Sequence, residues 1–368
     1  MPRKYDKKRL NEMLNKQETG LVDKVEIVFK NMPDCDIKGA MEPRLYKDMK
    51  KVALLTRLLP KSVLKLEMNT ASIKKLRKMF NNVDSTPIID KGVDVITDSF
   101  LAADGGEIPI HCFKSQETLE NAPILYFIHG GGFFAGSTAV VADMLKLLVA
   151  NTGILAFSVD YRLAPEHPYP TSHEDCYSGL LWLHQHASQF GGDPDQIFVG
   201  GDSAGGNLTL YCANRALEDQ LDLIKGQLIL YPTVNMGGVQ DEYVRFTKDK
   251  FDIYDKQAKV INLSLDMLRG LGDGLGQILG TTDLMTPYLT PYMAVNPKLP
   301  PTFIAVGEHD FLKIETLAYA RKLVMAGVET KTIVYKGLGH AFIDRIGYLP
   351  QSEDCVIEMG KFILNHRS

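Results

Sequence analysis

Most of what marks a specialised protein is missing from this chain of 368 residues. It has no run of about 18 apolar residues, so no transmembrane helix is expected. The first residues, Met1 to Lys8, are mostly charged or polar and no apolar core follows, which argues against an ordinary signal peptide. Cysteine is sparse: Cys35, Cys112, Cys176, Cys212 and Cys355 are far apart, odd in number and never paired as C-x-x-C. That excludes a disulfide framework or a cysteine zinc site and points to a reduced, cytoplasmic protein with small buried thiols. There is no internal repeat and no low-complexity tract. The net charge of −4 is too small to argue for a nucleic-acid partner.

The charge is unevenly placed. Residues 1–95 hold 21 Lys+Arg and 13 Asp+Glu, a balance of +8, which leaves −12 on the remainder. A basic arm on an acidic body can contact a membrane surface or nucleic acid; the blander expectation is that it packs on its own body or is solvated.

With 45% hydrophobic residues the chain can bury a sizeable core, as one α/β domain with an accessory piece. Two textures follow one another. Residues 1–82 read as helices: Leu21 to Met32 and Arg44 to Leu59 mix Leu, Val and Met with Lys and Glu, punctuated by Pro43 and Pro60. The stretch Asn81 to Lys91, with Asp84, Ser85 and Pro87, reads as a linker. From residue 93 strands alternate with helices. Val93–Ala102 and Ile108–Phe113 flank the turn Asp104-Gly105-Gly106. Unalternating apolar strands follow at Ile124–His129, Ile154–Asp160, Gln196–Gly200, Gln227–Tyr231, Thr302–Val306 and Lys331–Tyr335. Helical patterns lie between and after them, at Ala139–Ala150, Ser172–Phe190, Ala204–Leu217, Ile314–Ala326 and Glu353–Asn365. This alternation predicts an α/β fold with a mostly parallel sheet covered by helices. The expected division is a helical cap over 1–95 and a catalytic domain over 96–368. An insertion at 233–299, with a helix at Asp252–Leu268 and a Gly-rich piece at Gly270–Gly280, adds to the cap.

Three stretches carry chemistry. Gly201-Asp202-Ser203-Ala204-Gly205 is a G-x-S-x-G sequence between a predicted strand and a predicted helix, the setting of a nucleophile elbow. Its glycines suit a turn too tight for side chains. The alternative is an ordinary Gly-rich turn. Upstream, His129-Gly130-Gly131-Gly132 also follows a strand. Acyl transfer builds negative charge on a carbonyl oxygen, and the amides of Gly131, Gly132 and Ala204 are the expected oxyanion donors. The alternative is a flexible glycine loop or a phosphate cradle, though a Walker-type P-loop is excluded because no Lys-Ser/Thr follows.

A serine nucleophile needs a base, and the base needs a carboxylate. In this architecture the order is Ser, acid, His. After Ser203 only His309, His340 and His366 remain. His340, in Gly337-Leu338-Gly339-His340, follows the last strand and is the candidate base. Asp310 sits where the acid belongs, with Glu308 as a rival and His309 as a bystander. Asp202 is expected to anchor the turn. Glu166, in the proline-rich stretch Tyr161 to Pro170, is expected to bond backbone or Arg162 as scaffold. Phe133, Phe134 and Tyr161 are candidates for the pocket wall.

Together with Asp160-Tyr161-Arg162-Leu163-Ala164-Pro165-Glu166-His167-Pro168-Tyr169-Pro170, Gly205-Gly206-Asn207, Asp310-Phe311-Leu312 and Gly339-His340-Ala341-Phe342, these motifs resemble the hormone-sensitive-lipase-like family of α/β-hydrolase esterases over residues 95–368. The resemblance implies a triad of Ser203, Asp310 and His340, no metal or organic cofactor, and short- to medium-chain acyl esters as substrates. It also implies a lid from the N-terminal helices and the insertion, and is compatible with a homodimer. Two positions depart from the family pattern: Phe311 stands where a proline is common, and Ile314 where a second Asp is common. An amidase or peptidase with the same triad and a non-catalytic binding protein of this fold are the alternatives.

Overall fold

The computed structural model describes residues 3–33, 35–57, 70–81, 85–272 and 274–367. Met1, Pro2, Leu59, Pro60 and Asp84, which figure in the sequence reading, lie outside the described residues.

Among the described residues ten strands form one sheet: β1 (Gln17–Val22), β2 (Val25–Lys30), β3 (Val93–Leu101), β4 (Glu107–Ser115), β5 (Ala122–Ile128), β6 (Leu155–Val159), β7 (Gly192–Asp202), β8 (Ile224–Leu230), β9 (Thr302–Gly307) and β10 (Thr330–Tyr335). Their order is β1-β2-β10-β9-β8-β7-β5-β6-β4-β3. Seven neighbours from β2 to β6 run parallel; β1, β4 and β3 are antiparallel additions at the two edges. Strands β5, β6 and β9 are buried along their whole length, as unalternating apolar runs require when helices cover both faces.

The helices are α1 (Lys7–Asn15), α2 (Pro43–Arg57), α3 (Thr70–Phe80), α4 (Thr138–Thr152), α5 (Thr171–Phe190), α6 (Ala204–Glu218), α7 (Ala258–Gly272), α8 (Leu275–Leu279), α9 (Lys313–Met325) and α10 (Pro350–Asn365). Helices α4 and α10 pack together over the sheet, as do α5 and α6, while α1 packs on α10. The insertion after β8 is ordered, with α7, α8 and three short 3-10 turns. Among the described residues no helix is long and apolar enough to cross a membrane.

The expectation for Leu21 to Met32 needs correcting. This stretch is not a helix but most of a hairpin, β1 and β2, turning at Asp23 and Lys24 with φ of +49° and +73°. Val25 and Ile27 are buried with Glu26 exposed between them, a two-residue period. Strand β2 then lies parallel to β10 and covers what would be an open sheet edge. Region 1–95 is therefore helical only in part, and its end falls inside β3.

Part of the arm's basic charge meets the body. Arg3 makes two 2.7 Å bonds to Glu353, and the buried Lys30 lies 3.3 and 3.2 Å from Asp354 and Glu358. The Glu358 carboxyl, partly buried, is nevertheless held down to about 2 by Lys331, Lys361 and Lys30.

Candidate active site

The sheet order changes direction between β7 and β5: the chain leaves β5 toward β6 on one side and leaves β7 toward β8 on the other. Loops that diverge in this way open a crevice at the carboxyl ends of the strands. Ile128 and Gly201 are paired in register, so the triglycine loop after β5 and the serine turn after β7 lie side by side.

Ser203 joins β7 directly to α6 with φ +55° and ψ −118°, a conformation costly for any residue with a Cβ. The turn persists because its surroundings hold it. The Ser203 amide donates to Leu230 O at 2.9 Å, and Ser203 O accepts from Gly206 and Thr233 at 3.1 and 3.2 Å. A Cβ at Gly205 would run into the carbonyl oxygen of Ile128, so only glycine lets the two loops approach.

The Ser203 hydroxyl lies 2.9 Å from His340 Nε2, and His340 Nδ1 lies 2.9 and 3.0 Å from the two oxygens of Asp310. Nδ1–H donating to Asp310 leaves Nε2 as the acceptor for Ser203 Oγ–H. Asp310 is fully buried and also accepts the Leu312 amide at 2.8 Å. Rings of Tyr231 and Phe311 meet the imidazole edge-on, each with centroids 4.9 Å away. The three sequence-predicted side chains are thus in one chain of contacts. Glu308 is not part of it, since it accepts the Gly337 amide at 2.8 Å. His309 points elsewhere, toward Asp252 O at 3.0 Å, and His366 lies against Glu329.

The triglycine loop is fixed from behind. The buried Asp202 accepts the Gly130 amide at 2.7 Å, so it anchors one loop to the other. Burial pushes its carboxyl up to about 6, against the opposing pull of the Gly130 N–H and His340. His129 Nδ1 lies 2.8 Å from Gly130 O, and the ring stacks on Tyr161 at 4.3 Å, whose hydroxyl donates to His129 O. Burial lowers the His129 pKa, against the opposing pull of Gly130 O and Asp160. Gly131 adopts φ +118°, and a Cβ there would strike Ala135 O. Among the described residues, no protein acceptor receives the amides of Gly131, Gly132 or Ala204.

Gly132, Ser203, Ala204 and His340 line a cavity of about 320 Å³, walled largely by apolar residues such as Phe80, Phe134, Phe246, Leu275 and Phe311. Of the predicted wall residues only Phe134 lines it. Phe133 is buried against His173 and Tyr161 against His129, because the same loop uses them as packing.

Glu166 also departs from expectation. It pairs with Arg77 of α3, not with Arg162. Arg77 also donates to the carbonyls of Phe134 and Ala164, so it ties α3 to the loop beside the triglycine stretch. Arg162 instead grips the buried Asp175 and the exposed Asp104. Sequence reasoning missed Glu315. This carboxyl lines the cavity, accepts the amides of Val234 and Asn235 at 2.8 and 3.2 Å, and is pushed up to about 7 by burial. Its signal was a lone acid on the buried start of a helix, five residues after Asp310. Among the described residues no group of three or more His, Cys, Asp or Glu is placed to hold a metal ion.

A serine hydroxyl against an imidazole, a carboxylate behind it and free amides beside it form an arrangement suited to acyl transfer. A sequence model of the alpha/beta hydrolase fold matches residues 125–344. The chain is 31% identical over 239 residues to a carboxylesterase of Mycobacterium tuberculosis, covering 65% of this chain and 72% of that protein. It is 28% identical over 319 residues to a lipase of a Moraxella species, covering 78% and 71%. Among solved structures, the hyperthermophilic esterase of the archaeon Pyrobaculum calidifontis gives a TM-score of 0.72 at 26% identity, over 89% of this chain and 98% of that one. These likenesses define the class, an α/β hydrolase. Within it the chain belongs to the hormone-sensitive-lipase-like family, among the carboxylesterase-type hydrolases.

Proposed function

We propose that the chain hydrolyses short- to medium-chain acyl esters with Ser203 as nucleophile, His340 as general base and acid, and Asp310 as the carboxylate that orients it. His340 Nε2 takes the Ser203 proton as Oγ attacks the ester carbonyl carbon. The carbonyl π electrons move to oxygen, which rests on the amides of Gly131, Gly132 and Ala204. As the tetrahedral centre collapses, the C–O bond to the alcohol breaks and His340 delivers its proton to the leaving oxygen. Water, deprotonated by His340, then adds to the acyl carbon; as the C–Oγ bond breaks and the acid leaves, His340 returns the proton to Ser203. Asp310 keeps the Nδ1 proton in place and stabilises the imidazolium.

The observation that carries this reading is the unbroken run of contacts Asp310–His340–Ser203, within 3.0 Å at each step, beside three amides without a protein acceptor. The acyl preference rests on the cavity: about 320 Å³, at the small end of ligand pockets, and walled by aromatic and aliphatic side chains. Helices α3, α7 and α8, which give Phe80, Leu268 and Leu275 to that wall, act as the cap. The test is hydrolysis of p-nitrophenyl acetate, butyrate, octanoate and palmitate by the wild type and Ser203→Ala. A peak at the short chains, with the variant slower by ~10⁵-fold or more, is expected. A wild type inert on all four esters overturns the reading.

A further inference from the structure

Helices α2 and α3 hold nine basic residues and a single acid, Asp48, which leaves a charge of −12 on the rest of a chain whose total is −4. The exposed positions are ordered. On α2, Lys47, Lys50, Lys51, Leu54 and Leu55 recur at three- and four-residue steps along one face, and all are exposed. On α3, Lys74, Lys75, Lys78 and Met79 do the same. Leu54 and Leu55 are each 62% exposed and Met79 58%. The opposite faces are spoken for: Leu45, Ile73 and Leu76 are buried, and Tyr46, Met49 and Phe80 pack on the core. Among the described residues no acid pairs with Lys47, Lys50, Lys74, Lys75 or Lys78, and Asp48, 3.5 Å from Lys51, is also bonded to Tyr348.

This surface borders the cavity of Ser203. Phe80, the last residue of α3, lines that cavity and meets Phe134 edge-on at 5.6 Å. Helix α2 packs on α7, which gives Leu268 and Arg269 to the same wall.

We infer that α2 and α3 form a docking face for an anionic phospholipid bilayer. Lysines arrayed around bare leucines and a methionine match a surface whose headgroups are negative and whose acyl layer lies just beneath. Nucleic acid would use the lysines but leave Leu54, Leu55 and Met79 in water. A second copy of the chain would bring the same positive charge against it. Binding is peripheral, and it holds the cavity mouth near a phase in which apolar esters concentrate.

The test is flotation of the full chain with vesicles of phosphatidylcholine alone and of a two-to-one mixture with phosphatidylserine. The wild type is expected to float with the mixed vesicles only and to detach in high salt. Each lysine removed weakens partitioning about fivefold, so K47Q/K50Q/K51Q binds about a hundredfold more weakly. The double variant L54S/L55S also binds more weakly than the wild type at low salt. Both variants alter exposed side chains, and an unchanged thermal melt verifies that they are folded. Absence of wild-type binding to the mixed vesicles overturns the inference. So does equal binding to neutral vesicles, or binding that neither variant weakens. Tighter binding to duplex DNA than to vesicles, indifferent to L54S/L55S, also overturns it and assigns the face to nucleic acid.

Discussion

The cavity has a floor and a roof built by different means. The floor consists of the loops after β5, β7, β9 and β10. There the backbone is strained at Ser203, a glycine takes the positive φ at position 131, and the polar side chains Asp202, Asp310 and His340 all have hydrogen-bond partners. The roof comes from α3, α7 and α8, which offer Phe80, Leu268 and Leu275, and Arg77 ties α3 to the loop beside the triglycine stretch. Chemistry depends on atoms held to within a fraction of an ångström, so it belongs to the floor. Under the proposed function, fit to the substrate rests on shape and apolar area, which the roof supplies.

The sharpest test of this contrast lies within the floor. Asp310→Asn should lower kcat on p-nitrophenyl butyrate by about 10⁴-fold, because the amide favours the wrong imidazole tautomer. Glu308→Gln, which retains an acceptor for the Gly337 amide, should change kcat by less than about threefold. Comparable losses in the two variants would put the acid in doubt. A roof change should behave differently. Phe80→Ala should alter kcat/KM for the octanoate ester by about tenfold, with acetate nearly unaffected, since a few methylenes in an apolar pocket are worth about 1–3 kcal/mol. A uniform fall across all chain lengths would mean that Phe80 supports the floor.

A pH-dependent effect concerns the junction of the two. Glu315 lies at the floor and caps the amides of Val234 and Asn235, where the insertion begins. Its folded pKa of about 7 stands above the ordinary glutamate value of 4.5, so the folded state binds the proton more tightly. The stabilisation is complete below about pH 4.5 and is lost as pH rises through 7. Between these limits the stability of the wild type relative to Glu315→Gln should fall by about 1.4 kcal/mol per pH unit, measured by urea unfolding. A difference independent of pH would show that Glu315 is ionised throughout.

The floor was largely legible in the sequence, because its demands are local. Gly201 to Gly205 needs a strand before it and a helix after it, and both are visible as runs of Ile, Val and Phe and a helical repeat. Position after a strand leaves both Asp310 and Glu308 as candidates, and only the direction of each carboxylate separates them. What stayed hidden depends on distant partners. The hairpin β1–β2 turns at Asp23-Lys24 without the usual glycine, and its stability comes from β10, some 300 residues later. The pairing of Glu166 with Arg77 joins residues 89 apart. Glu315 looks like any surface glutamate until burial raises its pKa.

The most direct test of the central claim is covalent labelling with a fluorophosphonate, followed by peptide mass mapping. Attack by an activated serine expels fluoride and leaves a phosphonyl ester. A single adduct on Ser203, absent from Ser203→Ala and strongly slowed in His340→Ala, is the predicted result. An unlabelled wild type, or an adduct on another residue that persists in Ser203→Ala, would contradict it.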